Sequence, residues 1–200
     1  MKKILISLCF SVIGAVCYSQ VDFGLKSGMN IATTKGVIAN PKNKIGWYGG
    51  GFASFSLRNK FYLQSELLYS SKGERTHFRA GGDSKSSLRL NYINLPILIG
   101  YKIDSKTSLL IGPEFGYLIT AQLKYYSDFF DVTKNYPSKY DIGIDVGIKY
   151  LITKNVGSEI RYSYGLNTLY YVDELGTRHS ERNGANRMFQ IGVNYLIKNL

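Results

Sequence analysis

Eight charged residues carry most of the chemistry that this sequence could do: Lys26, Glu66, Glu114, Asp141, Asp145, Lys149, Glu159 and Arg161. Each stands in a stretch where polar and apolar residues alternate. Carboxylates and cations gathered on one face can neutralise one another, relay protons or line an ion path, and the choice rests on how far water reaches them. A second set, His77 and the run His179, Ser180 and Glu181, has the residue types of a Ser-His-acid hydrolytic site. Neighbouring His and Ser on an extended segment point opposite ways, so they could hydrogen-bond only through a tight turn. Solvated loop residues are the plainer reading. Two isolated histidines make no metal site. Gly49, Gly50 and Gly51 could suggest a phosphate cradle, but neither a helix nor a Lys-Ser/Thr pair follows, which favours a bend or a close approach of strands. No catalytic residue, metal or cofactor is expected.

The hairpin that positions five of the eight is clearest between Tyr140 and Tyr150. Tyr140, Ile142, Ile144, Val146, Ile148 and Tyr150 alternate with Asp141, Gly143, Asp145, Gly147 and Lys149. A period of two gives a strand with one oily face and one face of charges and bare backbone. After a turn at Thr153, Lys154 and Asn155 the pattern resumes: Val156, Ser158, Ile160, Tyr162, Tyr164 and Leu166 against Gly157, Glu159, Arg161, Ser163, Gly165 and Asn167. Eleven residues at about 3.3 Å each, tilted by roughly 40°, cross about 25 Å, the apolar height of an outer-membrane barrel.

The remaining chain repeats this pattern. Further strands are predicted at 21–31, 45–57, 61–72, 88–101, 107–121 and 186–198, with Lys26, Glu66 and Glu114 on the polar faces. Pro96 cannot donate to a ladder, which predicts a bulge there. Residues 32–44, 73–86, 122–138 and 169–185 read as long polar loops, whereas the connections at 58–60, 102–106 and 153–155 are short. Eight strands with alternating long and short connections fit an outer-membrane barrel with outer loops and periplasmic turns. Aromatics near the strand ends, such as Phe61 and Tyr101 at the turn side and Trp47, Tyr69 and Tyr140 at the loop side, predict two interfacial girdles. The fold class is all-β: an eight-stranded antiparallel up-and-down transmembrane β-barrel preceded by a signal peptide.

Residues 1–20, with Lys2 and Lys3 before an apolar run from Ile4 to Val16, read as that signal peptide, and residues 21–200 as the barrel domain. A lipoprotein signal ending at Cys17 is the rival reading, disfavoured by Val16 before the cysteine. Both cysteines fall in the leader, so disulfides, thiol catalysis and cysteine-bound metals are excluded from the mature chain. The 25 basic residues less Lys2 and Lys3, against 14 acidic ones, leave the mature chain at +9. That charge suits phosphate-bearing lipid headgroups or loop solvation. Scattered basic residues and an export signal argue against nucleic acid.

The stretches LQSELLYSSKG (63–73), YINLPILIGYK (92–102), GPEFGYLI (112–119), YDIGIDVGIKY (140–150), RYSYGLNTL (161–169) and RMFQIGVNYLI (187–197) together resemble the PorT-like outer-membrane β-barrel family of Gram-negative bacteria. The resemblance implies an eight-stranded barrel in the outer membrane and little about activity. Asn94 stands where relatives often carry Glu, and Leu200 replaces the usual terminal aromatic.

In so narrow a barrel the inward side chains fill the lumen. The eight charged residues are thus expected to form a structural polar network, five carboxylates outnumbering the cations, with Arg161 and Lys149 clamped by Glu66, Glu114, Asp145 or Glu159. Such a plug leaves the chain a non-enzymatic anchor, working through its outer loops in adhesion or in docking to another envelope component. Its expected surroundings are outer-membrane lipids and lipopolysaccharide, with any envelope protein partner unknown. A small lipid-modifying enzyme or a narrow channel is the alternative. A soluble lipocalin-like carrier would have an apolar lumen and a wet exterior, the reverse of these faces.

Overall fold

Alternating side chains and short turns leave this chain one economical arrangement, a meander whose last strand returns to its first. The computed structural model describes residues 21–34, 42–78, 84–125, 128–167, 170–172, 178–180 and 186–199. The signal-peptide segment 1–20 lies outside them. The long strands are β1 (Val21–Thr34), β2 (Lys42–Ser56), β3 (Phe61–Phe78), β4 (Ser84–Lys102) and β5 (Thr107–Tyr125). After a short β6 (Asp128–Asp131) and a 3₁₀ turn (Thr133–Asn135) come β7 (Tyr140–Leu151) and β8 (Val156–Gly165). A small hairpin of β9 (Tyr170–Val172) and β10 (Arg178–Ser180) then precedes β11 (Asn186–Asn199). Each long strand pairs antiparallel with the next, and β1 pairs with β11 from Asp22↔Asn199 to Thr34↔Asn186, so the eight-stranded barrel closes.

The faces divide as the alternation requires. Ile144 is 43% exposed while Asp145 beside it is 1% exposed. Leu25, Met29, Leu67, Ile111, Val146, Ile160 and Val193 share the outer surface with Ile144. Aromatic pairs bracket this belt: Phe61 and Tyr101 have ring centroids 5.1 Å apart at the turn end. At the loop end Trp47–Tyr69, Tyr117–Tyr140 and Tyr162–Phe189 stand at 5.2, 5.4 and 5.0 Å. Rings with polar edges suit the headgroup levels.

The turn-end connections are held by local hydrogen bonds. Asn59 takes the left-handed conformation (φ 63°), which asparagine tolerates. Asp104 Oδ1 accepts from the N–H groups of Lys106 and Thr107 at 2.7 and 2.8 Å. Thr153 Oγ1 accepts from Val156 N–H at 3.0 Å.

Three details depart from the sequence expectation. The expected loop 73–86 is largely strand, because β3 and β4 pair as far as Phe78↔Ser84. The ladder satisfies backbone groups beyond the apolar belt as well as within it. The expected loops 122–138 and 169–185 likewise contain β6 and the β9–β10 hairpin. No bulge occurs at Pro96: its register with Glu114 continues from Tyr92↔Leu118, and the shift falls between Asn91 and Tyr92. Missing one donor interrupts a ladder without requiring an extra residue.

Inside, rings from one strand lie over glycines of the next. Phe52, Tyr48 and Tyr62 are the register partners of Gly24, Gly28 and Gly100. A Cβ built on Gly100 would stand 2.1 Å from the Tyr62 ring. In the glycine triplet the close approach is at Gly50, whose Cβ would meet the Leu67 carbonyl oxygen at 2.0 Å, whereas one on Gly51 meets nothing nearer than 3.6 Å. Gly100→Val should therefore destabilise the barrel by about 1–3 kcal/mol through overpacking, and Gly51→Ala should be near neutral. Urea-induced loss of heat-modifiable gel mobility compares the two, and equal midpoints would remove the packing argument.

Candidate functional site

The barrel interior is where the charged residues meet. Arg161 on β8 lies at its centre. Its Nη1 and Nη2 donate to Glu66 Oε2 and Oε1 on β3 at 3.0 and 2.6 Å, a bidentate pair. Its Nε donates to Glu159 Oε1 at 2.9 Å and its Nη1 to Asp145 Oδ2 on β7 at 3.2 Å. Lys26 on β1 bridges the same carboxylates, with Nζ 3.0 Å from Glu66 Oε1 and 2.6 Å from Glu159 Oε1. Glu66 and Arg161 belong to strands separated by β2, β1 and β11, so their pair crosses the lumen. Gln64 Nε2 adds a hydrogen bond to Glu66 Oε1 at 2.6 Å.

A second group lies nearer the loop end. Glu114 Oε1 on β5 receives Lys72 Nζ at 3.2 Å and Asn94 Nδ2 at 2.6 Å. Lys72 also stands 5.1 Å from the centroid of the Tyr92 ring. Asn94, the departure from the resembling family, thus ties its strand to Glu114. Asp141 is buried on the same face, in register with Gly116. Asn30 Nδ2 donates to Ser70 Oγ at 2.8 Å, and Gln190 Nε2 to Asn30 Oδ1 at 3.1 Å. Buried charges persist in a low-dielectric interior only with such partners.

Apolar side chains bound these polar groups. Tyr62, Leu98 and Leu110 pack together toward the turn end. Toward the loops Leu90, Tyr92, Leu118 and Ala121 meet Tyr136, which the segment after β6 carries back over the barrel. That segment is fastened by Val132 N–H to the Ala121 carbonyl at 2.9 Å and by Leu118 N–H to the Lys139 carbonyl at 2.7 Å.

All eight expected residues face the lumen, seven of them buried and Lys149 half-buried. The expected clamp differs in two members: Glu114 holds Lys72 and Asn94 rather than Arg161 or Lys149, and Lys149 is not clamped. Among the described residues Lys149 pairs with no carboxylate; its Nζ donates to Gln64 Oε1 at 3.3 Å and lies 4.9 Å from the Phe52 ring centroid. Glu159 is its register partner, but the Glu159 carboxylate is turned to Lys26 and Arg161, and Lys149 lies close enough to the barrel mouth to keep contact with water. The excess of carboxylates also shrinks, because Lys72 and Lys44 are buried too. Lys44 Nζ donates to the Leu88 carbonyl at 2.7 Å. Both were within reach of the sequence. Lys72 continues the inward series Gln64, Glu66, Leu68, Ser70, and Lys44 precedes Gly46, Tyr48 and Gly50 in the same way.

Among the described residues no group of His, Cys, Asp and Glu could hold a metal ion. The side chains of His77, His179, Ser180 and Glu181 lie outside the described residues; the backbone of 178–180 is extended.

The sequence profile described as outer membrane protein beta-barrel domain matches residues 16–171. The chain belongs to the outer membrane protein beta-barrel domain family. It therefore resides in the outer membrane, with its oily face against lipid. Several solved barrels share its fold. Neisserial surface protein A superposes with a TM-score of 0.56 at 13% identity, over 88% of this chain and 97% of that one. A major outer membrane protein from Thermus thermophilus gives 0.51 at 8% identity, over 88% and 99%. The attachment invasion locus protein of Yersinia pestis gives 0.46 at 13%, over 90% and 99%. No protein of curated function matches the sequence.

Proposed function

We propose that this outer membrane β-barrel domain protein is a non-conducting anchor that works through its extracellular end, docking a second envelope component or an external surface. The observation that carries the reading is the Glu66–Arg161 pair spanning the lumen between two apolar layers. An ion crossing the barrel would have to part buried, mutually paired charges and then pass packed hydrocarbon, at a large desolvation cost. Function is thereby directed to the ends.

At the outer end β4 and β5 run well past the girdle, and β6 adds a third strand to them. Lys124 lies seven residues beyond Tyr117, about 18 Å higher at 3.3 Å per residue and a tilt of roughly 40°. There Phe129 and Phe130 are 55% and 51% exposed. The Arg89 guanidinium lies 5.9 Å and the Lys124 ammonium 5.2 Å from the Phe129 ring. Exposed aromatics beside cations on a projecting sheet suit a partner with anionic and apolar parts. Lipopolysaccharide and other outer-membrane lipids surround the barrel on this reading, and no chemistry is catalysed. The PorT-like stretches support placing the chain near that branch of the family.

The test combines in-cell crosslinking with conductance. A Phe129→Ser, Phe130→Ser variant should keep its heat-modifiable mobility and lose the crosslinked partner or adhesive phenotype, while the unaltered protein should give no steady single-channel current in a planar bilayer. Stable channels, or crosslinks that survive the double substitution, would refute the proposal.

A further inference from the structure

The opposite end of the barrel holds a feature that the anchor role does not use. Under Phe52 and Tyr62 a cavity of about 130 Å³ opens at the turn end, the periplasmic side of an outer-membrane barrel. Three lysines, Lys102, Lys149 and Lys154, line it against the single carboxylate of Asp22, a local balance of two positive charges. Deeper in the lumen Arg161, Lys26 and Lys72 each touch a carboxylate. Lys149 touches none among the described residues, and Lys102 faces the Tyr62 ring at 6.0 Å. Asn194, on the same wall, is 5% exposed and its Nδ2 has no acceptor among the described residues. Ser54 and Ser108 also line the cavity, beside the apolar side chains of Leu151 and Leu196.

The rim extends the field. Arg58, Lys60 and Lys106 are exposed on the turns, opposed only by Asp104 among the described turn residues. The backbone N–H groups of Lys106 and Thr107 hold the Asp104 carboxyl below its usual range, so it stays ionised and the rim is still basic. Clustered cations around a concave opening raise the local concentration of anions.

We propose that this periplasmic mouth is a binding site for a dianionic phosphate, either inorganic phosphate or a phosphate monoester headgroup. The ion's charge matches the surplus of two, its oxygens accept from the lysines, and charge-assisted hydrogen bonds of this kind are the strong ones. The site is independent of what the outer loops bind.

The test is NMR on isotope-labelled protein taken from outer membranes into a maltoside detergent and titrated with sodium phosphate at constant ionic strength. The Asn194 side-chain NH₂ and the Ser108 amide should shift saturably. Lys149→Gln should weaken binding on the order of tenfold or more, and Lys154→Gln, on an exposed turn where folding is unaffected, should weaken it as well. Equal shifts from sodium acetate or chloride, no saturation, or indifference to both substitutions would overturn the site. Nanodiscs with and without phosphatidic acid then identify the source. If the resonances shift before phosphate is added, the headgroup is the ligand; if they do not, soluble phosphate is. Conductance and crosslinking at the outer face read a different end of the molecule, so this site stands or falls separately from the anchor role.

Discussion

Arg161→Leu should lower the stability of the inserted barrel by about 3–5 kcal/mol, the range for removing one partner from a buried ion network. Five donated hydrogen-bond and ion-pair contacts converge on Glu66, Glu159 and Asp145 from this one guanidinium. Without it Lys26 alone faces Glu66 and Glu159, and Asp145 loses its described cation. Leucine fills much of the volume, so the loss is electrostatic rather than a cavity. Arg161→Lys should recover part of the stability, since an ammonium keeps the charge but cannot bond both Glu66 oxygens in one plane. Urea midpoints for the series, with a double-mutant cycle against Glu66→Gln, measure the coupling. An Arg161→Leu midpoint equal to wild type would mean that the cross-lumen pair contributes nothing to holding the barrel together.

Ile144→Arg tests the other face. The side chain stands within the lipid belt, midway along β7 between Tyr140 and Tyr150, so an arginine there should cost about 2–4 kcal/mol, the value for a cation near the bilayer midplane on a barrel exterior. The effect should fall with distance from that plane, and Tyr150→Arg at the turn-side girdle should cost about 1 kcal/mol or less. Unfolding free energies measured in lipid vesicles compare the two. Insertion of Ile144→Arg as stably as wild type would contradict the face that the structure gives to Ile144.

The barrel was legible in the sequence because strand faces are set by parity. Once Ile144 is outside, Asp145 and Asp141 must be inside, and the same rule placed Lys26, Glu66, Glu114, Glu159 and Arg161. Strand ends were less legible. Outside the hydrocarbon no solvent penalty enforces the apolar face, so β3 and β4 continue through Glu74, Arg75 and Ser87 without the oily partners that mark them lower down. Register was not legible at all, because it depends on bulges such as the shift at Asn91 and Tyr92. For that reason the polar set could be named while the partner of Lys149 could not. Its neighbour across the ladder is Glu159, but that carboxylate is taken by Arg161 two residues along the same strand and by Lys26 reaching over from β1.

The Glu66–Arg161 bond also bears on biogenesis. Its two residues are 95 positions apart, and Lys26, which shares their carboxylates, comes from the first strand of the cylinder. An unfinished sheet lying in lipid would keep Arg161 beside Glu159 and Asp145, but it would leave Glu66 beyond the guanidinium's reach and Glu159 beyond that of Lys26. Joining the first and last strands therefore completes the pairing of the interior, and a chain lacking β11 should insert less well than the full chain.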